Sequence, residues 1–243
     1  VDGIRCNVFR YEGASMDVIG LLLLALVAVG LSLIKTRSAK GYMGEKKVQI
    51  VTGLLLDRNH YRRIDNVTIP VRDGTTQIDH VIVSVYGVFV IETKNINGWI
   101  FGGVHQRQWT QVLYRKTYKF QNPLRQNFLH VKSLESVLRI PYASIHSVIV
   151  FSGDAKFKSQ MPDNVMHVSG LAAYIRSFKQ PVFTEEECES LFGRIELARL
   201  PPTRVTERDH VKALKGRFSG ASEGICPRCG GNLILRVARS GPS

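Results

Sequence analysis

Asp79, and then Glu92 and Lys94 two residues apart, are residue types that can do metal-assisted chemistry on phosphate. Two carboxylates that approach each other repel unless a cation joins them. Mg²⁺ (or Mn²⁺) binds through one or two carboxylates together with water and substrate phosphate oxygens. An ammonium beside such a pair can reach an attacking water or a scissile phosphate, an arrangement that suits phosphodiester hydrolysis. Asp followed by Glu-x-Lys is also common by chance. The plain alternative is a cross-strand salt bridge between Asp79 and Lys94, with Glu92 in solvent.

A hairpin must position these groups. Gln77–Val85 and Val88–Lys94 are β-rich runs flanking Tyr86-Gly87, a hairpin signal. With Tyr86-Gly87 as a two-residue turn, Val85 pairs with Val88, Asp79 sits opposite Lys94 and Val81 opposite Glu92. The period of two then puts Asp79, Glu92 and Lys94 on one face with Val81, Val83, Val85, Val88 and Val90. Ile78, Ile82, Phe89 and Ile91 fall on the other. Both faces are mostly apolar, so the ionised groups sit where burial is costly unless they are paired.

Around the hairpin, 41–56 reads as a helix with an apolar stripe of Val48, Val51, Leu54 and Leu55 and with Glu45 in its first turn. Strands are expected at 66–71, 99–101, 109–114, 145–151 and 165–168. Asn122 is the expected N-cap of a helix that Pro123 opens and that runs to about Leu138. Helices follow at 171–178 and 185–200, and Pro201-Pro202 ends the domain. This order predicts an α/β fold, a mixed sheet flanked by helices.

At this point the sequence resembles a known family. Gln77-Ile78-Asp79-His80-Val81-Ile82-Val83, then Gly87-Val88-Phe89-Val90-Ile91-Glu92-Thr93-Lys94-Asn95, resembles the core of the NERD (nuclease-related) domain. Gly98, Trp109, the run Asn122-Pro123-Leu124-Arg125-Gln126-Asn127 and the earlier Gly44-Glu45 extend the likeness over about Gly41 to Ile149. The resemblance implies the PD-(D/E)xK, restriction-endonuclease-like fold, with Glu45, Asp79, Glu92 and Lys94 in the active-site positions. Ile78 stands before Asp79 where the wider fold often has Pro. Asn122, Gln126 and His130 share one helix face at i, i+4 and i+8. Gln126 is a candidate for positioning a phosphate or water, and a polar solvent face remains the alternative for Asn122 and His130.

The formal net charge of +13 favours an anionic partner, either nucleic acid or the anionic leaflet of a membrane. Arg107, Arg115, Lys116, Lys119 and Arg125, interleaved with Trp109, Tyr114, Tyr118 and Phe120, are candidates for tracking a DNA or RNA backbone. An ordinary solvated edge reads equally well. Four cysteines are too few and too scattered for a disulfide-stapled fold. Cys226-Pro-Arg-Cys229-Gly-Gly has the form of a zinc knuckle and resembles the first half of a topoisomerase C-terminal zinc finger. Tetrahedral Zn²⁺ needs four ligands, so these two thiolates imply a lost half or a homodimer sharing one metal.

Residues 18–34 carry no charge and Ser32 is their only polar residue. Seventeen residues at 1.5 Å each give about 25 Å, enough to span hydrocarbon with help from the flanks. Lys35, Arg37 and Lys40 follow at once, which places the remainder on the cytoplasmic side of a single-pass anchor. Met16, directly before the run, is a candidate natural start. The expected organisation is an extracytoplasmic segment at 1–17, a membrane helix at 18–34, a nuclease-like domain at 41–200, a basic linker at 201–224 and a partial zinc ribbon at 225–243. The expected function is a membrane-anchored, metal-dependent nuclease acting on DNA or RNA. A non-catalytic, membrane-tethered nucleic-acid-binding module is the alternative. Protease added to right-side-out vesicles is expected to leave the region from Gly41 to Pro202 intact. Its digestion without permeabilisation would reverse the orientation, and release of the protein by high salt alone would remove the anchor.

Overall fold

The computed structural model of the chain describes Gly20, residues 37–71 and 74–201, and Thr203. Most of 18–34 and the Cys226–Cys229 knuckle lie outside the described residues. Among those described, no helix is long and apolar enough to cross a membrane. The chain divides into two units at Met43/Gly44, and the features below lie in the second, apart from the part of the first helix that precedes Gly44.

Helix α1 (Arg37–Leu55) precedes a meander of β1 (Tyr61–Val71), β2 (Gly74–Ser84) and β3 (Gly87–Lys94). A second meander follows: β4 (Gly98–Phe101), β5 (Gln108–Leu113) and β6 (Lys116–Gln121). Then come α2 (Pro123–Leu138), β7 (Ile145–Phe151), β8 (Ala155–Phe157), β9 (Val165–His167), α3 (Leu171–Ser177) and α4 (Glu185–Ala198). The result is a mixed α/β fold with two mixed sheets rather than the single sheet expected. One runs β1-β2-β3-β7-β9, the other β6-β5-β4-β8.

The larger sheet is the centre of a three-layer sandwich. Val81, Val83, Val88 and Val90 pack against Val131, Leu134 and Leu138 of α2 and Leu191 and Ile195 of α4. Ile82, Phe89, Ile91, Val148 and Val150 pack against Val48 of α1 and Leu171, Ala172 and Ile175 of α3. Both faces being covered explains why β3 and β7 read as continuous apolar runs. On α1 the buried line is Gly44, Val48, Thr52 and Leu56, spaced by four, whereas Leu54 and Leu55 of the expected stripe are exposed. Arg63 of β1 fixes this helix by donating from Nη1 to the Gln49 carbonyl (2.6 Å) and to Thr52 Oγ1 (2.7 Å).

The β2–β3 hairpin turns one residue earlier than its sequence suggests. Ser84 pairs with Gly87, Val83 with Val88 and Val81 with Val90, so Val85 and Tyr86 form the turn. Ser84 Oγ accepts from the Tyr86 N–H and donates to the Gly87 carbonyl, closing it. Gly87 has φ +132°, and a Cβ there would stand 2.5 Å from the His146 ring. It therefore begins β3 against β7 instead of serving as a turn residue. The register moves by two, an even number, so Asp79, Glu92 and Lys94 keep their common face while their expected partners change. A second departure lies at Asn66, whose φ of 54° interrupts the β1–β2 ladder between Asp65↔His80 and Val67↔Ile78. Asn tolerates the left-handed region better than most residues. Ile64 and Val67 face the same core although an odd number of residues apart, and so do Ile78 and Val81. Ile78 thus joins the α2 face instead of the face assigned to it by simple alternation.

β3 and β7 do not end at the larger sheet. They pair in parallel from Val88↔Ile145 to Lys94↔Phe151, and their continuations β4 and β8 pair from Gly98↔Ala155 in unchanged register. The intervening bend is held by Ser152 N–H to the Lys94 carbonyl, Gly98 N–H to the Asp154 carbonyl, and Asp154 N–H to Asn97 Oδ1. β6 and β8 escaped the sequence reading. Apart from half-buried Phe120, every residue of β6 is exposed, and three residues of β8 show no period. A Cβ on Gly153 would fall 2.4 Å from Asn97 Oδ1 and 2.6 Å from the Ile96 carbonyl oxygen, whereas at Gly103 only the Gln106 side chain comes within 4 Å. Gly153→Ala is expected to destabilise by about 1–3 kcal/mol through overpacking. Gly103→Ala should be close to neutral, and thermal melts of the two variants make the comparison.

Candidate active site

The α2 side of the larger sheet carries a buried carboxylate where two strands and a helix meet. Glu92 of β3 is 2 % exposed. Its Oε1 accepts from Lys94 Nζ at 2.5 Å and its Oε2 from His130 Nε2 at 3.2 Å. A carboxylate only accepts, so Nε2 of His130 carries a proton. Thr76 Oγ1 lies 2.8 Å from Nδ1 and donates to it when the ring is neutral. Lys94 Nζ also donates to Gln126 Oε1 at 2.9 Å. A continuous chain therefore runs Thr76–His130–Glu92–Lys94–Gln126.

Local sequence explains how α2 delivers two of these groups. Asn122 caps the helix, accepting from the Leu124 N–H, and its amide donates to the carbonyls of Gly103, Val104 and Gln106. Four-residue spacing puts Gln126 and His130 on the same side. Between them Asn127, fully buried, donates to the carbonyls of Val90 and Val148 and to Ser147 Oγ, bolting the helix to the β3–β7 pair. Of the helix-face residues, Asn122 is structural, whereas Gln126 and His130 reach the charged groups. His130 and Thr76 were not among the residues singled out for chemistry. The i, i+4, i+8 spacing carried the signal for His130, but nothing in sequence marked Thr76.

Asp79 lies beside this chain. Its Oδ2 accepts from the Thr93 N–H at 2.7 Å. Burial, and next the negative charge of Glu92, push its carboxyl well above the ordinary range against that hydrogen bond. Burial also acts to raise Glu92, but Lys94 and His130 outweigh it and hold Glu92 below the ordinary range. The plain salt-bridge alternative is corrected on both points. Lys94 pairs with Glu92 rather than Asp79, and Glu92 is buried, not solvated.

Glu45 stands on α1, near these carboxylates but outside the hydrogen-bonded chain. Burial raises its carboxyl, and Glu92 and Asp65 add to the rise while His80 opposes it. His80 is fully buried, with Nδ1 2.7 Å from Asp65 Oδ1 and Nε2 unpartnered. The sequence reading passed over His80, although it directly follows Asp79.

The donor set can be tested for a divalent metal on its chemistry. Among the described residues no group of three or more His, Cys, Asp or Glu side chains is gathered to hold one. Two carboxylates forced together in a buried place, one of them with its charge strongly disfavoured, fit a hard cation that completes its shell with water and phosphate oxygens. Among the described residues the free cysteine is Cys188, buried in α4, and burial pushes its thiol up to about 11, far from a thiolate ligand. The five basic candidates are all exposed but dispersed. Arg125 donates to the His105 carbonyl near the start of α2, Arg115 and Lys116 lie at the β5–β6 turn, and Lys119 donates to Thr110 Oγ1. Of the aromatics interleaved among them, Trp109 packs inward against Phe151, and Phe120 against Trp109.

The stretch of chain that builds this site is similar to a known family. The family described as nuclease-related domain, NERD, matches residues 40–152, a span that holds every member of the chain from Thr76 to His130. An uncharacterised protein of Bacillus anthracis is 34% identical over 185 residues, covering 74% of this chain and 86% of that protein. No solved structure matches. Family match and relative overlap on the sheet and helix that build the buried carboxylate site, and the chain belongs to the nuclease-related domain family.

Proposed function

We propose that the chain is a divalent-metal-dependent nuclease of restriction-endonuclease-like architecture, hydrolysing phosphodiester bonds of DNA or RNA. The observation that carries this reading is the convergence of Asp79, Glu92, Lys94 and Gln126 at one end of β3. In this reading Asp79 and Glu92 hold Mg²⁺ or Mn²⁺, which when bound would polarise the phosphate and lower the pKa of attacking water. With Glu92 holding the cation, Lys94 would be free to turn its ammonium toward water or the scissile phosphate. Gln126, through its carbonyl oxygen, would hold Lys94 in place. His130 keeps the other Glu92 oxygen, so the carboxylate does not rotate. Glu45, on the opposite helix, adds negative charge at the rim. Membrane attachment through residues 18–34, the cytoplasmic placement of the domain, and Zn²⁺ at Cys226 and Cys229 in a shared dimer site remain proposals from sequence.

One observation favours a non-catalytic binding module: both Glu92 oxygens are already engaged, by Lys94 and His130. Incubation of the full chain with a DNA and RNA panel in Mg²⁺ decides between them. Cleavage abolished by Glu92→Gln supports the nuclease. Its absence from the wild-type protein in both Mg²⁺ and Mn²⁺ supports the module.

Lys94→Met is expected to lower the melting temperature in chelator, because it leaves a buried carboxylate with one partner, a loss of about 3–5 kcal/mol for a fully buried pair. Mg²⁺ should recover much of that stability, while the cleavage rate stays down by about a hundredfold or more, as loss of one preorganised transition-state contact does. Near-normal cleavage by this variant would remove Lys94 from the mechanism.

Because Asp79 is harder to ionise folded than unfolded, metal-free stability should fall as pH rises from the unfolded carboxylate range through its raised folded value. Asp79→Asn, which keeps an acceptor for the Thr93 N–H, should therefore melt a few degrees above wild type at neutral pH in chelator. The difference should vanish at acid pH, and Mg²⁺ should stabilise wild type but not the variant. Equal Mg²⁺ stabilisation of both would show that Asp79 is not a ligand.

A further inference from the structure

The outer face of the smaller sheet is built unlike a solvated edge. Partners across its strands lie in rows, and side chains in one row share a face. One row runs Thr117, Val112, Trp99, Lys156, and the next runs Lys119, Thr110, Phe101. Trp99 and Phe101 are therefore neighbours on one strand, about 7 Å apart at two residues' rise. They are 49 % and 38 % exposed, although Ile100 between them is fully buried on the other face. Lys158 holds its ammonium 4.8 Å from the centre of the Trp99 ring. A cavity of about 430 Å³ opens beside Trp99, bordered by Val112, Tyr114, Asp154 and Lys156.

The charge around these rings is predominantly positive. Between Glu92 and Glu135 the chain contains no carboxylate, while Arg107, Arg115, Lys116, Lys119, Arg125 and Lys132 fall within that stretch. On the sheet face itself Lys119, Lys156 and Lys158 surround the two aromatics, and Asp154 is the one acid bordering the cavity. Exposed aromatics at alternate strand positions amid cations fit unpaired bases, whose flat faces stack and whose phosphates need neutralising. A duplex offers phosphates but buries its base faces. A carboxylate at the pocket edge accepts from an exocyclic amino group of the kind cytosine presents.

We propose that Trp99 and Phe101 form a stacking platform for single-stranded nucleic acid, with Lys119, Lys156 and Lys158 neutralising its backbone. This reading rests on the nuclease proposal and narrows its substrate to chains with unpaired bases. The platform strand β4 begins four residues after Lys94, and the β3–β7 register continues through the bend. That is within about 14 Å of extended chain, so only a few nucleotides' length separates the platform strand from the strand end that carries Lys94.

The two tryptophans separate the signal. Trp109 is fully buried and Trp99 is half exposed, so quenching of intrinsic fluorescence reports on Trp99. Full-length protein in detergent and chelator, which prevents cleavage, is titrated with oligo-deoxythymidine and separately with a duplex of equal length. The single strand is expected to quench the emission and bind tighter than the duplex. Trp99→Ala with Phe101→Ala should weaken single-strand affinity about tenfold or more, measured by anisotropy of a labelled strand, and leave duplex affinity unchanged. Absence of quenching overturns the platform, as does unchanged single-strand affinity in a double variant whose melt matches wild type. Loss of duplex and single-strand binding alike overturns the preference for unpaired bases. Failure of the nuclease reading is distinct: quenching and selectivity persist, while wild-type protein with Mg²⁺ cleaves nothing.

Discussion

Burial of the Glu92 carboxylate is the constraint on which the site's architecture turns. An ionised group removed from water needs compensation at both oxygens, and each missing partner leaves a deficit of several kcal/mol. Lys94 meets one need from the same strand, because two residues along a strand return to the same face. His130 meets the other from α2 and so requires that helix to lie over β3 at one axial position. Asn127 sets that position by reading the backbone carbonyls of the β3–β7 pair, and Asn122 sets where the helix begins. Gln126 then arrives beside Lys94 by helical spacing alone.

The same economy governs the route between the sheets. A parallel pair that keeps its register through a bend gives two sheets a common spine, so the carboxylate site and the base of the smaller sheet cannot move independently. The bend is crowded: Gly44 of α1 meets Ser152 and Asn95, and Gly153 meets Asn97 and the Ile96 carbonyl. Small residues there are a consequence of two strands and a helix approaching one point. Lys47 adds a bond from Nζ to the Ser152 carbonyl at 3.0 Å, tying α1 to the corner where β7 leaves the larger sheet.

Opposite faces of the sheet treat charge differently at this end. On the α2 side Lys94 and His130 outweigh burial and hold the Glu92 carboxyl below the ordinary range. On the α1 side Asp65 is satisfied by His80 and Arg63 and Glu45 has no cation in the hydrogen-bonded chain, while Asp79, on the face of Glu92, has only a backbone N–H. Electrostatic deficit is thus concentrated at Asp79 and Glu45, next to a carboxylate already neutralised. That is the distribution expected where a further cation binds.

The sequence by itself determined most of the strands and helices, because their signals are local. Period-two runs marked β2 and β3, Asn122-Pro123 marked the start of α2, and the spacing of Glu92 and Lys94 placed both on one face. Parity made that last inference robust, since a register error of two leaves every face unchanged. Partners were another matter. Whether Lys94 meets Asp79 or Glu92 depended on where the hairpin turns, and that was decided by the His146 ring pressing on Gly87 from a strand almost sixty positions away. Thr76 and His80 gained their partners from α2 and β1 respectively, through contacts that no short window contains. The break at Asn66 reversed the alternation that sequence would assign to Ile78. β6 emerged only because β5 offered an edge to pair with, its own side chains carrying no period. Residue types and faces follow from the chain's chemistry over a few positions. Pairing, burial and the charge state of each carboxylate follow from which distant segments pack together, and only the tertiary structure decides that.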